Sequence, residues 1–255
     1  MVYNLLSNII RQISKYSIGF FELCNVFICQ GLTDHIYKLF YQQLFRNRDM
    51  TFKKINKDNP LILASSSPRR KMLLEQIALP FYALPSSIDE KEEKGKPTEL
   101  VKKLAVKKAM AVQTPCHHNW ILGADTLVIL DAIILGKPAD YEQAWAMLNL
   151  LSGKMHEVIT GFAIVDPNAR LTHADCVITS VFIKHLSDRE ISSYLATREP
   201  FGKAGSYAIQ GIGSFMVKEI KGSYSNVVGL PVCEVIESLL SVGALEGFPI
   251  PPDVR

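Results

Sequence analysis

The chain predicts an α/β fold: a long, twisted, mixed sheet flanked by helices on both sides. Three observations carry this. From residue 60 onward, short apolar runs alternate with stretches of helical period. Two later runs, residues 156–165 and 171–182, alternate apolar and polar side chains as hairpin strands do. Gly, Pro and Ser punctuate the junctions, and no internal repeat is present.

The elements are expected in this order. Residues 61–64 (Leu-Ile-Leu-Ala) are a short buried strand that turns at once into a helix over 69–77, with Ser67 as its side-chain cap and Pro68 in its first turn. A second strand, 81–85, ends in an acidic turn at Asp89 and Glu90, and a charged loop follows to Pro97. Thr98 caps a helix running to about Val112. Residues 120–130 and 132–135 form a strand pair broken near Asp131. A helix over 141–151 is closed by Ser152-Gly153. After the 156–182 hairpin come a helix over 188–197, strands over 206–209 and 216–220, and a last helix from Val232 to about Val242.

Composition narrows the class of function. The chain has 255 residues, 48% of them hydrophobic and 21% charged, as an ordinary globular protein has. A formal net charge of +3 permits an anionic ligand but does not argue for a chain that wraps nucleic acid. The five cysteines form no CxxC pair and no metal-ligand spacing, which suits free thiols in a reducing cytoplasm. The domain division expected is an N-terminal extension, residues 1–58, followed by the α/β domain over 59–250. The extension's most apolar run, 18–29, is too short to span a bilayer and is broken by Glu22 and Asn25. Three readings of the extension stand: an amphipathic membrane-surface segment, an extra helical layer, or an artefact of start-site choice with Met50 as the true start. No membrane association is expected for 50–255.

Several residues stand out chemically. Ser65 to Arg70 lie where a strand becomes a helix start, so open amide donors, the helix dipole and the guanidinium groups of Arg69 and Arg70 converge on one anion site. The plain alternative is a capped helix with two surface arginines. On the helix over 98–112, Leu100, Val101, Leu104, Ala105, Lys108 and Ala109 share one stripe, which sets Lys108 on the face that should be buried. Such a lysine needs a partner or a task, unless it snorkels from the stripe's end. Asp125 interrupts an apolar strand, where a carboxylate must be paired, hydrogen-bonded or bound to metal, or else mark a strand-end turn. Asp89 and Glu90, at the mouth of another strand, could join Asp125 in holding Mg²⁺ or Mn²⁺ with phosphate oxygens. Lys137 is a candidate for neutralising phosphate charge, and Gln210, in a glycine-rich stretch, offers an amide able to read a base edge. His117 and His118 sit in a polar loop, and His156 is read as structural. There is no P-loop, no Gly-x-Gly-x-x-Gly after a strand and no Gly-x-Ser-x-Gly elbow, which argues against a P-loop NTPase, a dinucleotide dehydrogenase and an α/β-hydrolase.

Six motifs in order, Ala64-Ser-Ser-Ser-Pro-Arg-Arg70, Gly123-Ala-Asp-Thr126, Gly136-Lys-Pro138, Ser152-Gly-Lys-Met-His156, Lys203 to Gly211 and Gly222 to Pro231, resemble those of the Maf (septum-formation inhibitor) nucleotide pyrophosphatases. The resemblance implies a fold similar to that of the inosine-triphosphate pyrophosphatases, with two lobes around a cleft. It also implies hydrolysis of nucleoside triphosphates to the monophosphate and pyrophosphate, with a divalent cation, Mg²⁺ or Mn²⁺. By the same resemblance Asp125 is the proton acceptor, and Arg69, Thr126 and Gln210 govern substrate choice in the branch acting on dTTP and UTP. Ser65, Lys108 and Lys137 match other active-site positions. The sister branch acts on 7-methyl-GTP and carries an acidic residue where this chain has Gln210, which makes the pyrimidine branch the better match. That branch, or a nucleotide-sensing septation regulator with little turnover, are the alternatives. The expected partner is a nucleoside triphosphate, with a homodimer left open. An aspartate bound tightly to metal is a poorer base, so the two roles for Asp125 compete.

Overall fold

A computed structural model describes residues 52–88, 95–113 and 118–252. Asp89, Glu90, His117 and the extension as far as residue 51 lie outside the described residues. In chain order the elements are β1 (Leu61–Leu63), α1 (Pro68–Gln76), β2 (Phe81–Ala83), α2 (Pro97–Ala111), β3 (Ile121–Leu130), β4 (Ile133–Leu135), α3 (Tyr141–Leu151), β5 (Met155–Val165), β6 (Leu171–Ile183), α4 (Asp188–Ala196), β7 (Val217–Lys221), α5 (Tyr224–Val228) and α6 (Val232–Ser241). The sheet has the order β2-β1-β3-β5-β6-β7, with β4 on the free part of β3's edge. β1 runs parallel to both β2 and β3 because helices α1 and α2 carry the chain back between them. The remaining pairs are antiparallel: β3–β4 and β5–β6 are direct hairpins, while α3 lies between β3 and β5 and α4 between β6 and β7, so the sheet is mixed as expected.

The β3–β4 hairpin turns on Asp131 and Ala132, both at positive φ (48° and 68°), the backbone of a two-residue primed turn whose twist suits a hairpin. Four details differ from the sequence expectation. Ser67 occupies the cap position of α1, but its side chain makes no capping hydrogen bond. Lys96, not Thr98, is the cap residue of α2, with Pro97 opening the helix. Residues 206–209 are not a strand: Gly205 and Ser206 take positive φ (69° and 60°), which no strand accommodates, and a short 3₁₀ turn (Ala204–Ser206) stands there instead. α5 was not foreseen.

The register explains where the sheet opens. β5 follows one edge of β3 from Ile121 to Ile129. On the other edge, β1 reaches only to Leu122 and β4 joins only at Val128. Residues 123–127 therefore have no strand beside them on that edge. The gap lies at the carboxyl end of β1, where ligands bind in open α/β sheets.

Even-numbered residues of β3 face two apolar clusters in turn. Leu122 and Ala124 pack with Leu61, Leu63, Leu74, Phe162, Val235 and Leu239, and Val128 and Leu130 pack with Leu148, Leu151, Val181, Ile191 and Tyr194. Odd-numbered residues face α2: Ile121 packs with Ala109 and Ile129 with Val101. Asp125 and Thr126 interrupt these two stripes at the gap. Residues 52–58 contribute as well, for Ile55 is buried, Phe52 meets the Trp120 ring edge-on at 5.6 Å, and Lys54 Nζ donates to Gly243 O at 2.6 Å. Among the described residues no helix is long and apolar enough to cross a membrane.

Candidate active site

A groove of about 550 Å³ opens at the gap in the sheet. Its lining includes Ser65, Arg69, Arg70, Lys108, Asp125, Thr126, Lys137 and Gln210. Eight of the ten residues singled out from sequence thus share one cavity although they span 146 positions, from 65 to 210; the other two, Asp89 and Glu90, lie outside the described residues.

Lys108 and Asp125 form a buried ion pair in its lining. Both are buried, and Lys108 Nζ donates to Asp125 Oδ1 at 2.6 Å. The contact depends on how low α2 rides over the sheet. A Cβ at Gly123 would lie 2.1 Å from Ala105 O, and one at Gly161 would lie 2.4 Å from the Val101 carbonyl carbon. Only glycine lets the helix backbone approach that closely. The buried lysine foreseen on the helical stripe and the costly aspartate foreseen in the strand are each other's partner.

Arg70 is buried, and its guanidinium is engaged by protein. Nε donates to Gly229 O at 2.7 Å, Nη1 to Ser65 Oγ at 3.1 Å and Nη2 to Thr126 Oγ1 at 3.0 Å. The network continues beyond it. Thr160 Oγ1 donates to Asn226 O at 3.1 Å, so it receives the Thr126 hydroxyl, 3.0 Å away. Asn226 Nδ2 then donates to Val158 O and to Thr179 Oγ1, at 3.0 and 2.9 Å. Ser65 Oγ also accepts Ser67 N–H at 3.2 Å. Arg70 and Thr126 thus tie the start of α1 to β3 and to the end of α5. Polar networks of this kind help fix one arrangement of the elements they join.

Arg69 is only half-buried and donates from Nε to Val228 O at 3.3 Å. Burial lowers its guanidinium from the ordinary value, with nearby Tyr194 pulling the other way. Lys203, which sequence reasoning left out of the site, stands on the same wall; its ammonium donates to Glu199 O. Burial lowers its pKa, and the Arg69 charge lowers it further. The signal that could have found it was its place at the head of the glycine-rich motif. Lys137 lines the groove as an exposed side chain. Among the described residues Gln210 makes one long hydrogen bond, Nε2 to Met72 Sδ at 3.5 Å, and its Oε1 is buried with no hydrogen-bond partner.

His156 lies behind the groove. It is 2% exposed, its Nε2 is 2.8 Å from the Tyr207 hydroxyl, and Tyr207 itself lines the cavity. Burial lowers its pKa to about 4. A neutral, enclosed imidazole supporting Tyr207 agrees with the structural role read from sequence.

Comparison with known proteins adds a family. The Maf-like protein family model matches residues 60–242. A dTTP/UTP pyrophosphatase of Geobacter sp. (strain M21) is 48% identical over 190 residues, 74% of this chain and 98% of that protein. A dTTP/UTP pyrophosphatase of Ruminiclostridium cellulolyticum is 50% identical over 174 residues, 68% of this chain and 90% of that one. A solved nucleoside-triphosphatase / dITP/XTP pyrophosphatase from Mycobacterium abscessus aligns over 71% of this chain and 95% of its own, at 15% identity and a TM-score of 0.37. The family match runs from β1 to α6 and so takes in every element that lines the groove; the chain belongs to the Maf-like protein family.

Proposed function

We propose that the groove hydrolyses dTTP and UTP, and modified pyrimidine nucleotides, to the nucleoside monophosphate and pyrophosphate. The observation that carries this reading is the buried Lys108–Asp125 pair in the same cavity as the start of α1. The pyrimidine choice is supported by the relatives named dTTP/UTP pyrophosphatase and by the unpartnered amide oxygen of Gln210. The domain responsible is residues 59–250, with 52–58 packed onto it.

The triphosphate is held at the start of α1. First-turn N–H groups of a helix have no intrahelical acceptor, and here the Ser67 side chain does not take them. With the dipole behind them they favour an anion. Arg69, Lys203 and Lys137 offset the charge of the tail. Arg70, in this reading, keeps Ser65 and Thr126 in place through its protein contacts. Water attacks the α-phosphorus while Asp125 accepts its proton. The bond from the α-phosphorus to the oxygen bridging toward the β-phosphorus breaks, pyrophosphate leaves, and the water oxygen remains on the monophosphate. Lys108 occupies Oδ1 of Asp125 and so orients the carboxylate, leaving Oδ2 for the water.

The donor set fits a divalent cation shared with substrate. Asp125 is a hard oxygen donor of the kind such a cation takes. Mg²⁺ is commonly held by one or two carboxylates plus substrate phosphates. Asp125 would hold it, with Asp89 and Glu90 as the further carboxylates. When bound, Mg²⁺ or Mn²⁺ supplies neutralisation of charge on the phosphates. A cytoplasmic setting goes with this reading and with the free thiols Cys176 and Cys233.

A nucleotide panel with pyrophosphate detection tests it. Preferential turnover of dTTP and UTP over CTP, ATP, GTP and 7-methyl-GTP is expected. Preference for 7-methyl-GTP, or tight binding without pyrophosphate release, overturns it.

A further inference from the structure

The segment that carries Gln210 is gripped from behind by two side chains that the reaction does not use. Glu199 receives three donors. The Tyr194 hydroxyl, at 2.9 Å, and Gly213 N–H, at 2.8 Å, reach Oε1, and Ile212 N–H reaches Oε2 at 2.9 Å. Tyr194 Oη in turn accepts Ala208 N–H at 3.2 Å. Peptide groups on both sides of Gln210 are thereby tied to one Tyr–Glu pair. Gly211 adopts a φ of 118°, and a Cβ there would lie 2.5 Å from Glu199 Oε2, so the backbone closes tightly on the carboxylate. Burial raises the Glu199 carboxyl, but the N–H groups of Gly213 and Ile212 and the Tyr194 hydroxyl outweigh it and hold it below the usual carboxylate range. Among the described residues the Gln210 amide makes a single long hydrogen bond, to Met72, so the backbone behind it has a large part in setting its place.

We propose that Tyr194 and Glu199 are positioning residues for base discrimination: they hold residues 208–213 so that the Gln210 amide meets the base at a single place. This rests on the reading of Gln210 as the group that recognises a pyrimidine edge. An amide on a fixed backbone rejects a base whose donors and acceptors are misplaced, because its own polar atoms are then left unpaired. An amide on a loosened loop follows the wrong base and loses that penalty. The phosphates stay bound at α1, so the loss falls on selectivity and on KM.

The test is steady-state kinetics on UTP and CTP for Glu199→Gln, Tyr194→Phe, Gln210→Ala and the double variant Glu199→Gln/Gln210→Ala. Glu199→Gln removes the charge and keeps one acceptor oxygen, so one of the two carboxylate positions that accept backbone N–H becomes an NH2 donor. The ratio of kcat/KM for UTP over CTP is expected to fall about tenfold, through KM for UTP, with kcat within about threefold of wild type. Tyr194→Phe loses only a hydroxyl and shifts the ratio the same way by less. The double variant is no less selective than Gln210→Ala alone, the signature of one residue acting through another. Hydrogen exchange at the Ile212 and Gly213 amides speeds up in Glu199→Gln, a readout that needs no turnover. If Gln210→Ala relaxes selectivity while Glu199→Gln and Tyr194→Phe keep the wild-type ratio, or if the double variant's losses add, the positioning role is overturned and base reading by Gln210 stands. An equal fall in kcat on both nucleotides in Glu199→Gln also overturns it. An unchanged ratio in Gln210→Ala overturns base reading, and the positioning role with it.

Discussion

Lys108 and Asp125 show how a residue-scale anomaly in sequence becomes a site. Each is the one charged residue in an apolar stripe, and each is out of place until the other is found 2.6 Å away. Asp125→Asn is expected to lower turnover by about 10²–10⁴-fold with the fold retained, read by kinetics beside a melting curve. Lys108→Met strands a buried carboxylate and should lower stability by about 3–5 kcal/mol in denaturant unfolding, whereas Lys108→Met/Asp125→Leu should recover most of that loss while remaining inactive. His156 provides a pH signature. Its pKa is lowered to about 4 in the folded state against 6.5 for the free side chain. Between those values the unfolded chain binds a proton that the native protein refuses, so stability falls as pH drops from 6.5 toward 4 and levels off below. The share due to His156 is about 3 kcal/mol and should be missing from the stability–pH curve of His156→Gln. Arg70 was legible as a cation at a helix start, but its use was not: four residues lie between it and Ser65, while Thr126 and Gly229 are 56 and 159 positions away.

At the scale of elements, the packing of α2 on the sheet decides whether the pair can meet. Gly123 and Gly161 are the contact points, and the atoms opposite them are backbone, which cannot swing aside. Gly161→Ala should therefore destabilise by about 1–3 kcal/mol and also depress activity by lifting Lys108 from Asp125, measured by urea unfolding and kcat on the same preparation. Most elements were readable because their periods are long enough to be distinct: ten residues of β3, eleven of α3, and the 155–183 hairpin. The failures have local causes. Residues 206–209 (Ser-Tyr-Ala-Ile) read as a short strand, but left-handed backbone at Gly205 and Ser206 turns the chain, and Ser206 is a non-glycine residue in a conformation sequence does not announce. α5 has five residues, too few for a helical stripe to be seen.

For the whole molecule, ligand binding and stability are linked. A non-hydrolysable UTP analogue with Mg²⁺, at about 100 times its Kd, should add about 2.7 kcal/mol and raise Tm by several degrees, measured by scanning calorimetry. Chelation with EDTA should abolish turnover, and Mg²⁺ or Mn²⁺ should restore it; full activity in excess EDTA would remove the cation from the proposal. The groove exists because β1 and β4 leave residues 123–127 of β3 without a neighbouring strand on one edge. The sequence by itself determined the α/β class, the order of nearly all elements, and the identity of the polar residues that an apolar setting makes costly. Those follow from local period and local chemistry. Only the tertiary structure decided that β1 stops at Leu122 and β4 begins at Val128, that Arg70 is spent on protein contacts, and that Tyr194 and Glu199 hold the Gln210 segment. These are contacts between residues distant along the chain, and their geometry is set by strand register and helix packing, which no short window of sequence contains.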